Sequence, residues 1–215
     1  MIRLAVTVEG QTEEEFVKDV LAPHLQSCGV AAIPILLGRA RNSRVGGGNV
    51  TVPELVSEIV HLRRSHDAVT TLVDFYGFRG KEQHSADELE QEIRGGVEES
   101  TGWQRERVMP YVQRHEFEGL LFSDVRAFMV LTDLPPQAVH TLGNIRSAFT
   151  TPEDINDNRC TAPSRRIAGV VPRYRKKVDG PLIAAEMGLE TIRAECPRFS
   201  AWLECLESLR DRIGP

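Results

Sequence analysis

The sequence predicts an α/β fold, a mainly parallel sheet flanked by helices, followed by a helical C-terminal extension. Three observations predict it. Short β-rich apolar runs alternate with amphipathic segments over the first half, which is the pattern of βαβ units. From about residue 134 onward the pattern is helical throughout. With 215 residues, 41% hydrophobic and 27% charged, the chain is large enough to bury one sizeable core. The expected division is an α/β domain over 1–133 and a helical extension over 134–215 packed on it.

The elements follow in order. Residues 2–8, IRLAVTV, are apolar and β-rich, and Gly10 stands at the turn. Thr12 precedes Glu15 by three, a capping-box spacing, and Phe16, Val17, Val20, Leu21 and Leu25 then recur on one face of a helix. The run 30–37, VAAIPILL, reads as a strand whose Pro34 implies an edge position or a bulge. A loop with Arg39, Arg41, Arg44 and three consecutive glycines comes next. Residues 53–65 start on a proline and carry Leu55, Val56, Ile59, Val60 and Leu62 as a helical apolar face. AVTTLVDF is another strand, ending on Asp74; 85–99 is an exposed acidic helix; 107–113, RVMPYVQ, is a strand leading into HEFEGLLF. The last third holds PSRRIAGVV, GPLIAAEMGLETIRAEC, starting at its Gly-Pro, and PRFSAWLECLESLRDRI as helices. Phe117, Phe122, Phe128, Phe199 and Trp202 sit at core-packing spacings.

Composition excludes several classes. No apolar run approaches the roughly 20 residues of a membrane span, and no basic segment followed by an apolar stretch marks a secretory signal, so a cytoplasmic protein without membrane contact is expected. Cys28, Cys160, Cys196 and Cys205 are too widely spaced for a zinc knuckle, and most of them read as small buried apolar residues. A net charge of -5 argues against a general nucleic-acid coat, yet basic residues cluster at 39–44 and 165–177. A phosphate loop, a dinucleotide fingerprint and a Gly-x-Ser-x-Gly elbow are all absent from the sequence.

The acids carry the chemistry. Ligands of open parallel sheets bind beyond the carboxyl ends of the strands, where Glu9 and Asp74 end two of them. Two carboxylates on short turns suit a hard divalent cation such as Mg²⁺, which keeps waters for a phosphate substrate. Glu9 alone reads equally as a solvated turn residue. Glu13 and Glu14 suit the positive end of the helix dipole, with one of them within reach of a metal.

VEGQTEEEF, LVDFYGF and HEFEGLLF, in that order, resemble a Toprim-type domain, and most closely the bacterial family catalogued as domain of unknown function 4276. The ending GPLIAAEMGLETIRAECPRFSAWLECLE is similar to that family's ending as well. The resemblance implies a Toprim-like parallel sheet coordinating Mg²⁺ or Mn²⁺ for phosphodiester chemistry, as in topoisomerases, primases and nucleases of the overcoming-lysogenisation-defect kind. Glu9 matches the Toprim glutamate assigned to metal binding and acid–base work, and Asp74 the first acid of Asp-x-Asp. Tyr76 stands in place of the second acid, so a ligand is missing.

Glu116 or Glu118 offsets that loss in this reading. On a helix the two lie about 200° apart, so only one faces a shared centre. Glu116 is the expected one, with His115 beside it to position a water or phosphate. His115 also reads as a surface or core histidine, and Glu118 as a solvated acid. The late lysine of those nucleases is carried over to Lys176, to neutralise charge on the phosphoryl oxygens. Arg39, Arg41, Arg44, Arg165, Arg166 and Arg173 are the expected nucleic-acid contacts, or ordinary surface charges.

The expectation is therefore a metal-dependent nuclease acting on DNA or RNA. The resemblance adds an anti-phage role with an ABC-type ATPase partner. The alternative is a catalytically weak module that binds a partner protein or nucleic acid. A homodimer through the apolar C-terminal third is a further expectation.

Overall fold

The computed structural model describes residues 1–38, 50–81, 83–156 and 159–214. The loop carrying Arg39, Arg41 and Arg44 lies outside them.

The core of the fold is a parallel sheet. Its strands are β1 (Ile2–Val8), β2 (Val30–Leu36), β3 (Ala68–Asp74), β4 (Val108–Met109) and β5 (Val112–Gln113). The order is β2-β1-β3-β4, with β5 also pairing with β3, and every pairing is parallel. β2 is thus an edge strand, as Pro34 requires. Helices α1 (Gln11–Phe16) and α2 (Ala22–Ser27) follow β1; α3 (Val52–Leu62) precedes β3, and α4 (Ala86–Thr101) follows it.

Alternation along the strands sorts the side chains into two layers. Ile2, Leu4, Val6 and Val8 of β1, with Leu72 of β3, bury against Phe16, Leu21 and Leu25. Ala5, Val69 and Val73 bury instead against Leu55, Ile59, Leu89, Ile93 and Val97 of α3 and α4. Both sheet faces are covered, which is the condition a parallel sheet requires.

Two local departures from the sequence reading have covalent causes. The first helix starts two residues earlier than the Thr12–Glu15 spacing implies: Gly10 is the cap, and Glu13 reaches back to accept from the Gly10 N–H at 3.0 Å. Between α1 and α2 the chain widens into a π-helical segment, Val17–Leu21, where Ala22 N–H bonds the Val17 carbonyl. Pro23 follows; it lacks an N–H and its ring would press on the carbonyl four residues back, and a π turn takes up that mismatch.

The strand expected over 107–113 is interrupted at Pro110. Side chains satisfy part of its backbone, beside the short pairings with β3. Thr71 Oγ1 accepts from Tyr111 N–H (2.9 Å) and donates to its carbonyl (2.8 Å). Arg94 Nε donates to Val108 O, Glu90 accepts from Val112 N–H and Arg198 donates to Val112 O. Such an edge offers no open ladder to another chain.

The C-terminal third adds α5 (Ala138–Ser147), α6 (Pro163–Val170), α7 (Lys176–Met187), α8 (Leu189–Glu195), α9 (Pro197–Glu207) and α10 (Leu209–Ile213). α7 does not start at Gly180-Pro181. It begins at Lys176 and carries Pro181 inside. Gly180 lets it approach α1, since a Cβ there would stand 3.3 Å from Thr12 Cγ2 and 3.1 Å from the Tyr174 hydroxyl. Phe199, Trp202, Leu203, Leu206 and Leu209 join the same core as β1 and α1, so the apolar excess of this third covers the sheet. Trp202 Nε1 donates to Thr70 Oγ1 at 2.8 Å, and Glu153 accepts from the Arg198 and Phe199 N–H groups at the start of α9. The five aromatics expected in the core are all buried. Of the cysteines only Cys196 is; Cys160 and Cys205 are exposed and Cys28 is intermediate. Among the described residues no helix is long and apolar enough to cross a membrane.

Gly96 in α4 is explained by packing. A Cβ there would lie 2.9 Å from Val56 Cγ2 of α3, inside ordinary contact. Although alanine favours helix over glycine, Gly96→Ala is expected to destabilise by about 1 kcal/mol, and Val56→Ala in the same chain to restore most of it. Urea unfolding of the two single variants and the double variant measures the coupling; additive losses would refute it.

Candidate functional site: a carboxylate cluster around Lys176

The site forms where the sheet ends. β1 delivers Glu9, the first turn of α1 delivers Glu13, β3 delivers Asp74, and α7 returns Lys176 across the sheet edge. These residues, with Gly10, Gln11, Thr12 and Lys177, line a cleft of about 440 Å³. The fourth carboxylate is Glu118, in the 3₁₀ turn Phe117–Ser123.

Lys176 Nζ lies 2.9 Å from Glu118 Oε2 and 3.7 Å from Asp74 Oδ2. The Glu118 side chain is 0% exposed and that of Asp74 13%, whereas Lys176 is 39% exposed. Asp74 Oδ1 accepts from the Phe117 N–H at 2.8 Å, which ties β3 to the turn carrying Glu118. Glu9 is held by shape. Its carboxylate lies directly against Gly77, where a Cβ would fall 2.8 Å from Glu9 Cδ. The glycine of LVDFYGF is therefore a space requirement.

Charge is concentrated beyond what one ammonium neutralises. Burial raises the Asp74 carboxyl well above its usual range, opposed by Lys176 and reinforced by Glu13, Glu9 and Glu118. Glu13 is pushed up to about 6, mainly by burial. Burial likewise raises Glu118 against the pull of Lys176. Burial alone would depress Lys176; Asp74, Glu118 and Glu13 outweigh it and hold the ammonium above its ordinary value.

A raised carboxyl contributes stability that is full below its unfolded pKa and is lost as pH rises through the folded one. For Glu13, which is 3% exposed, the span from 4.5 to about 6 corresponds to about 2 kcal/mol lost over that window. Glu13→Gln keeps an acceptor for Gly10 and is expected to remove this loss. Urea unfolding at pH 5 and pH 7.5 in EDTA checks it; a variant less stable than the parent at pH 7.5 contradicts the account.

The structure gathers some of the expected residues and separates others. Glu9, Glu13, Asp74 and Lys176 come together. The expectation that Glu116 rather than Glu118 faces the shared centre is corrected. Glu116 precedes the 3₁₀ turn in extended backbone, and its Oε2 accepts from the Ser164 N–H at 2.9 Å, at the start of α6. Glu118, two residues on, is the one paired with Lys176. Its second oxygen is 3.5 Å from the Tyr174 hydroxyl.

His115 is also outside the carboxylate cleft. It lines a separate cavity of about 250 Å³ with Phe75, Ser85, Ala86, Asp87 and Arg114. Its φ of 63° is in the left-handed region, and burial together with Arg114 lowers its pKa. Tyr76 packs 5.6 Å from the His115 ring, and its hydroxyl accepts from the Asn156 side chain. Arg173 pairs with Asp133 at 3.1 Å. Arg166 donates to Thr161 O and lies over the Phe149 ring. Neither of these, nor Arg165, lines the cleft; Lys177, Gln11 and Thr12 do. The position of Gln11 and Thr12, just after Gly10 at the helix start, was the available signal for them.

The profile of the family described as "Domain of unknown function (DUF4276)" matches residues 8–207. The chain belongs to this family. The match includes every residue of the carboxylate cluster and runs to the end of α9, so the helical third is part of the family unit. No curated protein and no solved structure gives a significant match.

Among the described residues, no group of three or more His, Cys, Asp or Glu side chains is set at metal-holding spacing. The donor chemistry nevertheless fits a hard divalent cation: carboxylate oxygens from Glu9, Glu13, Asp74 and Glu118, three of them raised by burial and mutual repulsion.

Proposed function

We propose that this DUF4276 chain is a Toprim-type, metal-dependent phosphodiesterase or nuclease acting on DNA or RNA. The observation that carries the reading is the meeting of four acids from three chain segments around one ammonium, at the carboxyl edge of a parallel sheet. Glu9, Asp74 and Glu118 would hold Mg²⁺ or Mn²⁺, with Glu13 beside them. A bound ion would supply Lewis acidity toward a phosphoryl oxygen.

The chain's own residues do the rest. Lys176 and Lys177 stand at the cleft to neutralise charge on a phosphate. Glu9, packed on Gly77, is the group placed to accept a proton. Asp74, fixed by the Phe117 N–H, keeps its free oxygen toward Lys176. The anti-phage role and the ABC-type ATPase partner rest on the resemblance of the three motifs alone.

A second reading has its own observation. Lys176 already neutralises Asp74 and Glu118, and Tyr76 replaces a Toprim acid, as suits a module that binds a protein or nucleic acid without cutting it. Incubating the purified chain with plasmid and with tRNA, in Mg²⁺, Mn²⁺ or EDTA, separates the two. Cleavage with metal and none in EDTA supports the nuclease. No cleavage of either polymer, with a neighbouring ATPase added, supports the module.

A further inference from the structure

A second cleft, of about 410 Å³, opens on the other side of the molecule's chemistry, along β4. It shares no lining residue with the carboxylate cleft. Four arginines from four segments reach it: Arg94 of α4, Arg105 just before β4, Arg198 of α9 and Arg212 of α10. The Met109–Pro110 stretch forms an apolar wall.

Arg198 is ion-paired. It lies 2.6 Å from Asp87 and 2.8 Å from Glu90, and it also donates to Val112 O. Arg94 binds Val108 O through Nε, and among the described residues neither it, Arg105 nor Arg212 has an ion-pair partner. Arg94 is half-buried, and burial together with the Arg105 charge depresses its pKa against the pull of Glu90 and Glu98. Holding like charges together in a partly desolvated cleft is unfavourable unless an anion joins them. A planar guanidinium presents paired donors suited to phosphate oxygens.

We propose that this cleft binds a compact phosphate-bearing ligand of mononucleotide size, its phosphate held by Arg94, Arg105 and Arg212. The volume is that of a small-molecule site. Asp87, Glu90 and Glu106, which line the same cleft, would repel a long polyanion. The ligand is therefore a small molecule, distinct from any polymer taken by the carboxylate cleft, and the inference does not depend on the nuclease reading.

The test is calorimetric titration of the full chain with AMP and with inorganic pyrophosphate, in EDTA so that no metal bridges phosphate to the carboxylates. Both are expected to bind. The double variant Arg105→Gln/Arg212→Gln removes two exposed side chains without protein partners; its melting temperature should match the parent while affinity falls roughly tenfold or more. Asp74→Asn should leave affinity unchanged. Absence of binding, equal affinity in the arginine variant, or loss in Asp74→Asn would overturn the assignment. So would a short thymidine oligonucleotide binding more tightly than AMP through the same arginines.

Discussion

Glu9→Gln is expected to lower magnesium-dependent cleavage of nucleic acid roughly 10³-fold, the scale on which removing one preorganised charged group acts on a hydrolytic site. Glutamine keeps the volume that packs on Gly77 but not the charge, and it cannot take a proton. Because the substitution also removes one of four crowded carboxylates, the metal-free variant should be no less stable than the parent. That pairing of outcomes is informative: lost activity with a retained melting temperature assigns a chemical role. Activity unaltered in Glu9→Gln, or cleavage persisting in EDTA, would reject the proposed site.

Lys176→Met carries the largest expected effect on stability. Glu118 has no solvent contact, and its ammonium partner at 2.9 Å is the group that keeps its charge tolerable. Removing one member of a buried pair typically costs 3–5 kcal/mol; with Lys176 39% exposed, about 3 kcal/mol at pH 8 is expected. The sign of the pH dependence follows from the carboxylates. Their folded pKa values are already raised, and losing the ammonium raises them further. Protonation then relieves the unpaired charge, so the deficit should shrink to about 1 kcal/mol at pH 5. Lysine itself stays charged across that window and adds no slope. Equal losses at pH 5 and pH 8, measured by urea unfolding, would point to lost packing rather than lost charge.

Much of the fold was legible because its signals are local. Period-two and period-3.6 apolar patterns placed β1, β2, β3, α3 and α4, and the proline in VAAIPILL narrowed β2 to an edge position or a bulge. Where two local signals competed, the reading slipped. Pro110 divides RVMPYVQ because it donates no N–H, and Thr71, Glu90, Arg94 and Arg198 supply the bonds a continuous strand would have made. The Gly-Pro of α7 resembles a helix start, yet the helix is already a turn old there, and Gly180 serves the contact with Thr12 instead.

The candidate site divides the same way. Strand ends that stop on acids are visible in a string of letters, so Glu9 and Asp74 could be named from position alone. The choice between Glu116 and Glu118 could not, because it depends on Ser164, far along the chain, presenting an N–H that captures Glu116. His115 was misplaced as well: its backbone is left-handed, and its side chain lines the separate cavity with Phe75 and Arg114.

By itself the sequence determined the layered parallel sheet, the acids at its carboxyl edge and the family of the chain, since these follow from nearest-neighbour periodicity and motif order. Only the tertiary structure decided which acids share Lys176, why Gly77 must lack a side chain, and that Arg94, Arg105 and Arg212 line one cleft beside β4. Those depend on contacts between residues tens of positions apart, where burial and charge, not local pattern, select the partner.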